Sequence, residues 1–271
     1  MIRSWAMGLL LATTTLPSLG YAEPELYRTT VIVTGQGEKN RQIGFKECFD
    51  KILVRVSGDP RLPSEPAANA LREDAGNLVV SFSYRDRMAG VAIHDEQGTY
   101  DRPHDLTCVY DPAKLDVVLD KLGSQPWTAD RPPISVFLLV ERGADRTVLL
   151  EGSSKGVDMR ESFAAAARTM AMEVRFPADG DLDIERWRLL AEPERRDSGG
   201  SPDKYIAGTV SLIGRLVWSD DDLGWVVAWT VAHDGQYYRW QVRGINFDEA
   251  FRVGVRGVAQ ILSGNGAPQP R

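Results

Sequence analysis

Two cysteines and three histidines are the whole supply of thiolate and imidazole metal ligands in 271 residues. No His-x-x-x-His or Cys-x-x-Cys spacing occurs, which excludes the common zinc centres built on one helix or one turn. His94, His104 and His233 are expected in loops or at strand ends and read as surface histidines; only a fold of the Met88 to His104 extension on itself would bring His94-Asp95-Glu96 near His104-Asp105. The Gly-x-Ser-x-Gly elbow of serine hydrolases is missing, and Gly152-Ser153-Ser154-Lys155-Gly156 holds phosphate-loop residues in the wrong order. After Gly35 and Gly37, Asn40 stands where the third glycine of a dinucleotide fingerprint belongs. Asp220-Asp221-Asp222 lacks the spaced ligands and terminal Glu of a calcium loop. These absences leave no catalytic residue, metal or cofactor to nominate. A formal net charge of -6 disfavours nucleic acid and anionic membranes as partners.

Long apolar runs are also scarce, and the first one has the form of a leader. Met1-Ile2-Arg3 supplies a positive start, Ala6 to Leu16 an apolar segment, and Gly20-Tyr21-Ala22 a small-x-small cleavage site. Residues 1–22 therefore read as a signal peptide, and the mature chain is expected to begin at Glu23 in the periplasm. The apolar segment is shorter than the ~20 residues that span a bilayer. No integral membrane segment is expected after cleavage, and the lack of a cysteine just after Ala22 argues against a lipid anchor. In an oxidising compartment the two cysteines admit two readings: a Cys48–Cys108 disulfide, or two separately buried thiols. The bridge requires the helix carrying Cys48 to pack on the strand carrying Cys108.

That helix is the clearest element. Phe45, Phe49, Ile52 and Val56 recur at steps of four, three and four on one face, flanked by Cys48 and Leu53. Gly58 suits the left-handed position just past the helix, and Asp59-Pro60 ends it. Arg55 falls at the margin of the buried stripe, where its guanidinium is expected to pair with Asp59 or a carboxylate of the sheet. Arg55 and Asp59 are the two candidate ligand contacts.

Leu53-Val54-Arg55-Val56-Ser57-Gly58-Asp59-Pro60 resembles the most recognisable string of the bacterial family catalogued as domain of unknown function 2066. Phe82-Ser83-Tyr84, Val109-Tyr110-Asp111-Pro112, Trp127 followed by Arg131-Pro132, Leu212-Ile213-Gly214-Arg215-Leu216 and Trp225-Val226-Val227-Ala228-Trp229 are similar in the same sense. The likeness lapses at Met170-Ala171-Met172-Glu173, where an arginine-glycine-x-proline turn is expected. The resemblance implies an exported two-part protein and brings no catalytic residues.

The fold class expected is α+β, with two mixed α/β domains. The first spans 23–124: a strand to Thr34, a helix capped by Asn40, an Ala-rich helix capped by Ser64, strands over Leu78 to Arg87 and Asp105 to Tyr110, and a helix opened by Pro112. Pro126, Pro132 and Pro133 mark a linker over 125–133. The second domain spans 134–264. It opens on the apolar strand Ile134 to Val140, followed by a helix with an Asp158-x-x-Glu161 cap, a strand over Val174 to Phe176 and a helix carrying Ile184, Trp187 and Leu190. A polar loop from Glu192 to Asp203 leads to a three-stranded antiparallel meander and a helix capped by Asn246. This order resembles the amino-terminal domain of TolB. The Asp234-Gly235 turn sets Trp229 opposite Trp240, and pairing Trp218 with Trp225 sets Gly214 opposite Trp229. Residues 265–271 are expected to be disordered. The function expected is that of a non-catalytic periplasmic binding or envelope-assembly accessory protein whose partner is an envelope protein; the alternative is an envelope-directed hydrolase with a site at the domain interface.

Overall fold

The computed structural model describes residues 23–91, 101–178 and 208–269. The expected leader, His94, most of the Met88 to His104 extension, the helix around Trp187 and the Glu192 to Asp203 loop lie outside these residues. The fold is α+β, built on two sheets.

The first layer begins with a short turn of helix, α1 (Glu23–Leu26), and β1 (Arg28–Thr34). The long helix α2 (Glu38–Ser57) follows, then a 3-10 turn at Leu62–Ser64, α3 (Pro66–Glu73) and α4 (Ala75–Leu78). Strands β2 (Val79–Asp86) and β3 (Pro103–Tyr110) and helix α5 (Pro112–Lys121) complete it. The three strands are antiparallel in the order β1-β3-β2. Period-two alternation puts Val31, Val33, Leu106, Cys108 and Tyr110 on the face where α2 lays down Phe45, Cys48, Phe49, Ile52 and Val56. Cys48 and Cys108 are bonded there.

Two expected caps are corrected. Asn40 lies inside α2, whose N-cap is Gly37 without a side-chain bond, and its amide instead reaches back to the Thr34 carbonyl. Ser64 belongs to the 3-10 turn, and Pro66 opens α3 after Glu65. In both places a proline or a tertiary acceptor sets the helix start one to three residues away from the residue with the best capping side chain.

The second layer comprises β4 (Ile134–Arg142), β5 (Asp145–Val148), α6 (Val157–Thr169), β6 (Val174–Arg175), β7 (Val210–Ser219), β8 (Gly224–His233), β9 (Gln236–Ile245) and α7 (Phe247–Leu262). Its path is β5-β4-β7-β8-β9, with β6 also on β4. β4 runs parallel to β6 and β7, and every residue from Ile134 to Glu141 is buried, as its unbroken apolar run requires. Strand β5 was not foreseen. It is short, polar and at the sheet edge, so no alternation marks it in sequence. The Asp158-x-x-Glu161 cap is corrected as well: α6 starts from Gly156 with no side-chain cap, and Asp158 sits in its first turn.

The meander has the expected register: Gly214 opposite Trp229, Trp229 opposite Trp240, Val227 opposite Val242. Asp234 and Gly235 have φ of 49° and 73°, the paired positive values of a type I′ turn. Helices α6 and α7 cover this face. Asn246 accepts from the Glu249 N–H at 2.8 Å, so its cap is present. Gly254 and Gly257 weaken α7 locally but let it close on the two indoles; a Cβ on Gly257 would stand 2.4 Å from Trp240 Cζ2.

Candidate functional site

The stretch from Leu53 to Pro60 ends α2 where the two layers meet. Gly58 takes φ of 76° and its N–H donates to the Val54 carbonyl at 2.9 Å. Ser57 Oγ donates to the Leu53 carbonyl and accepts the Asp59 N–H, which fixes the turn that follows. Val54 packs on the second layer's core, and Ala171 packs on the first.

Arg55 is buried at this junction and donates to four carbonyls on two segments, the ends of α1 and α6. Its Nε and one terminal nitrogen reach Leu26 at 3.1 Å and Glu25 at 2.8 Å; the other terminal nitrogen reaches Thr169 at 3.0 Å and also Arg168. The last two carbonyls end α6, so the guanidinium satisfies acceptors that a helix C-terminus leaves open. The role expected of Arg55 as partner of Asp59 falls instead to Arg61. Asp59, also buried, accepts from the Arg61 backbone N–H at 2.9 Å and from its guanidinium at 2.8 Å through each oxygen. Arg55 is thus a structural clamp, and Asp59 aims a second arginine. Replacing Arg55 by Ala should cost about 3 kcal/mol, because several buried carbonyls lose their donor together. The urea midpoint reads this, and Arg55→Lys should recover little of it, since a single ammonium cannot fork to four carbonyls on two segments.

Sequence reading quotes Arg131 with Trp127 in the family resemblance but gives it no role. It sits in the linker against Trp127, with its guanidinium 4.0 Å from the ring centroid, and donates to the Met170 carbonyl at 2.6 Å and the Trp127 carbonyl at 3.1 Å. Burial and the neighbouring Arg55 guanidinium push its pKa down to about 9, which still leaves a cation at neutral pH.

Beside the turn lies a cleft of about 270 Å³ between the first layer and α7. Pro60 and Arg61 form one wall, Arg256 and Gln260 of α7 the other, with Trp240 and Pro268 among the remaining lining residues. A second, more open cleft of about 390 Å³ lies between linker residues 123–129 and the end of α7. The segment after α7 runs between them, with Asn265 and Pro268 half-buried and Gly266, Ala267 and Gln269 exposed. Asn265 donates to the Ser57 carbonyl at 2.9 Å, and Arg61 donates to the Asn265 carbonyl at 3.0 Å. Gln260 is visible in sequence as the one amide in the apolar run Val258 to Leu262. The contribution of Trp240 depends on how α7 crosses β9, which no local pattern carries.

His104 is buried rather than exposed. One ring nitrogen lies 2.8 Å from the Arg102 carbonyl and must carry the proton, so the other accepts from the Gln36 amide at 3.0 Å. His233 lies 3.5 Å from Asp234. Among the described residues no group of three or more His, Cys, Asp or Glu is placed to hold a metal ion, and no helix is long and apolar enough to cross a membrane.

The architecture defines an α+β protein of two sheet layers joined through a buried arginine clamp. In comparison with known families, residues 22–128 match the family described as Domain of unknown function (DUF8605), a match that covers the first layer and reaches the linker. This overturns the resemblance to domain of unknown function 2066. The string that suggested it encodes an amphipathic helix, a left-handed glycine and a proline stop, requirements that any helix ended in this way would share. No curated protein and no solved structure matches the chain, so the TolB likeness rests on element order alone.

Proposed function

We propose that the protein is an exported, non-catalytic binding or assembly-accessory protein that uses the cleft between its two layers. On this reading it has two units, 23–124 and 134–264, joined by 125–133, and it works in the periplasm on an envelope protein. The observation that carries it is the lining of the 270 Å³ cleft, where an indole, two prolines, two guanidiniums and two carboxamides present apolar walls and hydrogen-bond donors. Such a lining grips acceptor groups. The strongly shifted Arg131 nearby remains a cation bonded to two carbonyls, which does not suit a general base. The leader pattern and the Cys48–Cys108 bond support an oxidising compartment.

The test is photo-crosslinking in intact cells from Ser64, at the rim of the cleft, with Leu223 on the β7–β8 turn as the control position. A discrete protein adduct at Ser64 and not at Leu223, on a chain whose intact mass begins at Glu23, is expected. Turnover of envelope polymer by the purified protein, adducts equal at both positions, or a full-length mass would overturn the reading.

A further inference from the structure

The segment that follows α7 lines this cleft through Pro268 and Gln269. Gly266 turns the chain with φ of 85°, and Pro268 lies against α7 so closely that a Cβ on Gly257 would meet its Cγ at 3.1 Å. The Gln260 amide, on a side chain only 3% exposed, donates to the Asn265 carbonyl at 3.4 Å and the Ala267 carbonyl at 3.3 Å. Arg61, held by Asp59, donates to the same Asn265 carbonyl. Two features of the lining are left over. Trp240 is 3% exposed, and its indole N–H is buried without an acceptor, a state that native proteins rarely leave uncompensated. Besides Pro268, the cleft of about 270 Å³ is lined by Gln269, Ser64 and Arg256.

We propose that this cleft is a groove for a proline-containing extended peptide, and that the chain's own segment Asn265–Gln269 lies in it as a built-in competitor. The chemistry selects the ligand. A wall of donors needs a backbone that offers carbonyls, and proline offers a carbonyl without an N–H that would be left unpaired. An extended left-handed segment also presents its rings to aromatic and proline walls at little entropic cost, the usual route by which such segments dock. The Trp240 N–H is the donor waiting for one more carbonyl. The tail meets these requirements only partly, with long bonds at Gln260 and none at Trp240, so a partner segment with better spaced prolines displaces it.

This inference names the partner of the site proposed above and rests on that reading. It is tested on the full mature chain by following the Trp240 indole N–H resonance, assigned by comparison with Trp240→Phe, during titration with a synthetic Ala-Pro-Gln-Pro-Ala-Pro peptide. The resonance should move downfield and saturate. Pro268→Gly, which loosens the tail, should tighten binding by about tenfold through removal of the competitor. Gln260→Leu should abolish saturation while its spectrum stays folded. No movement up to millimolar peptide in either the native chain or Pro268→Gly, or an equal response to a Gly-Ser-Gly-Ser-Gly-Ser peptide, would overturn the groove. A discrete Ser64 adduct in cells with no response to the peptide would overturn this inference alone and leave the binding reading standing.

Discussion

Trp229→Ala should cost about 3 to 5 kcal/mol, read as a large fall in the urea midpoint at unchanged slope. The indole is 1% exposed at the middle of the meander, and each of its neighbours is shaped to it. Across β7 stands Gly214, where a Cβ would lie 2.1 Å from Trp229 Cζ3. Above it, Gly254 of α7 would place a Cβ 3.0 Å from Cε2. Phe163 of α6 meets the ring edge-on at 5.9 Å and stacks on Phe251 at 4.6 Å, so both helices rest on this one side chain. Truncation leaves a void that two glycines cannot fill. Gly214→Ala alone should cost about 1 to 3 kcal/mol by overpacking, yet little in the Trp229→Ala background, where space has opened. Additive costs in that double-mutant cycle, or a loss below about 1 kcal/mol for Trp229→Ala, would show that the indole is not the support described. Trp229→Phe should be much milder, because the Trp229 N–H is itself buried without an acceptor and its removal takes away a penalty along with the lost area.

This register was legible in the sequence because three independent constraints agree on it. The Asp234-Gly235 turn fixes one pairing, the apolar alternation fixes the face, and a one-residue slip would invert every side chain. The α2 stop was legible for a similar reason: the apolar period, Gly58 and Pro60 coincide. Where only one weak signal existed, reading failed. Asn40, Ser64 and the Asp158-Glu161 pair each have good capping chemistry, but Gly37, Pro66 and Gly156 decide the starts through backbone geometry. Strand β5 gains its place only by pairing Leu139 to Arg142 of β4 with Val148 to Asp145, a tertiary event.

The site was less legible than the fold. The position of Arg55 at the edge of the buried stripe follows from helical spacing, but its acceptors do not. Thr169 is 114 residues away in sequence, and a backbone carbonyl has no residue type by which it can be recognised. A sequence argument reaches for carboxylates because carboxylates are visible there, and so Asp59 was paired with the wrong arginine. The hydrogen bonds of the tail are illegible for the opposite reason. Gly264-Asn265-Gly266-Ala267-Pro268 is the composition of a loose end, and what orders it is a set of donors already fixed by the rest of the fold, from Arg61, Gln260 and the Asn265 side chain itself.

Removing the Cys48–Cys108 bond should lower stability by about 4 kcal/mol in the chain-entropy picture, since the bond closes a loop with a sequence separation of 60. Within that loop lie α3, α4 and β2, the elements with the fewest buried large side chains in the first layer. Both cysteines are fully buried where α2 crosses the central strand β3, so the bond ties the longest helix to the strand that pairs with both neighbours. Its loss should therefore be felt across the first layer and little in the second, whose buried cluster contains no cysteine. Cys48→Ala with Cys108→Ala is the direct comparison, measured by urea unfolding and by hydrogen exchange of the β2 and β3 amides. The exchange data separate two effects. Faster exchange in β2 and β3 with unchanged protection in β8 marks a local staple, whereas equal loss in both layers would mean that the junction at Arg55 couples them into one cooperative unit. A double variant within about 1 kcal/mol of the native chain, or two alkylatable thiols in native protein unfolded without reductant, would contradict the role given to this bond.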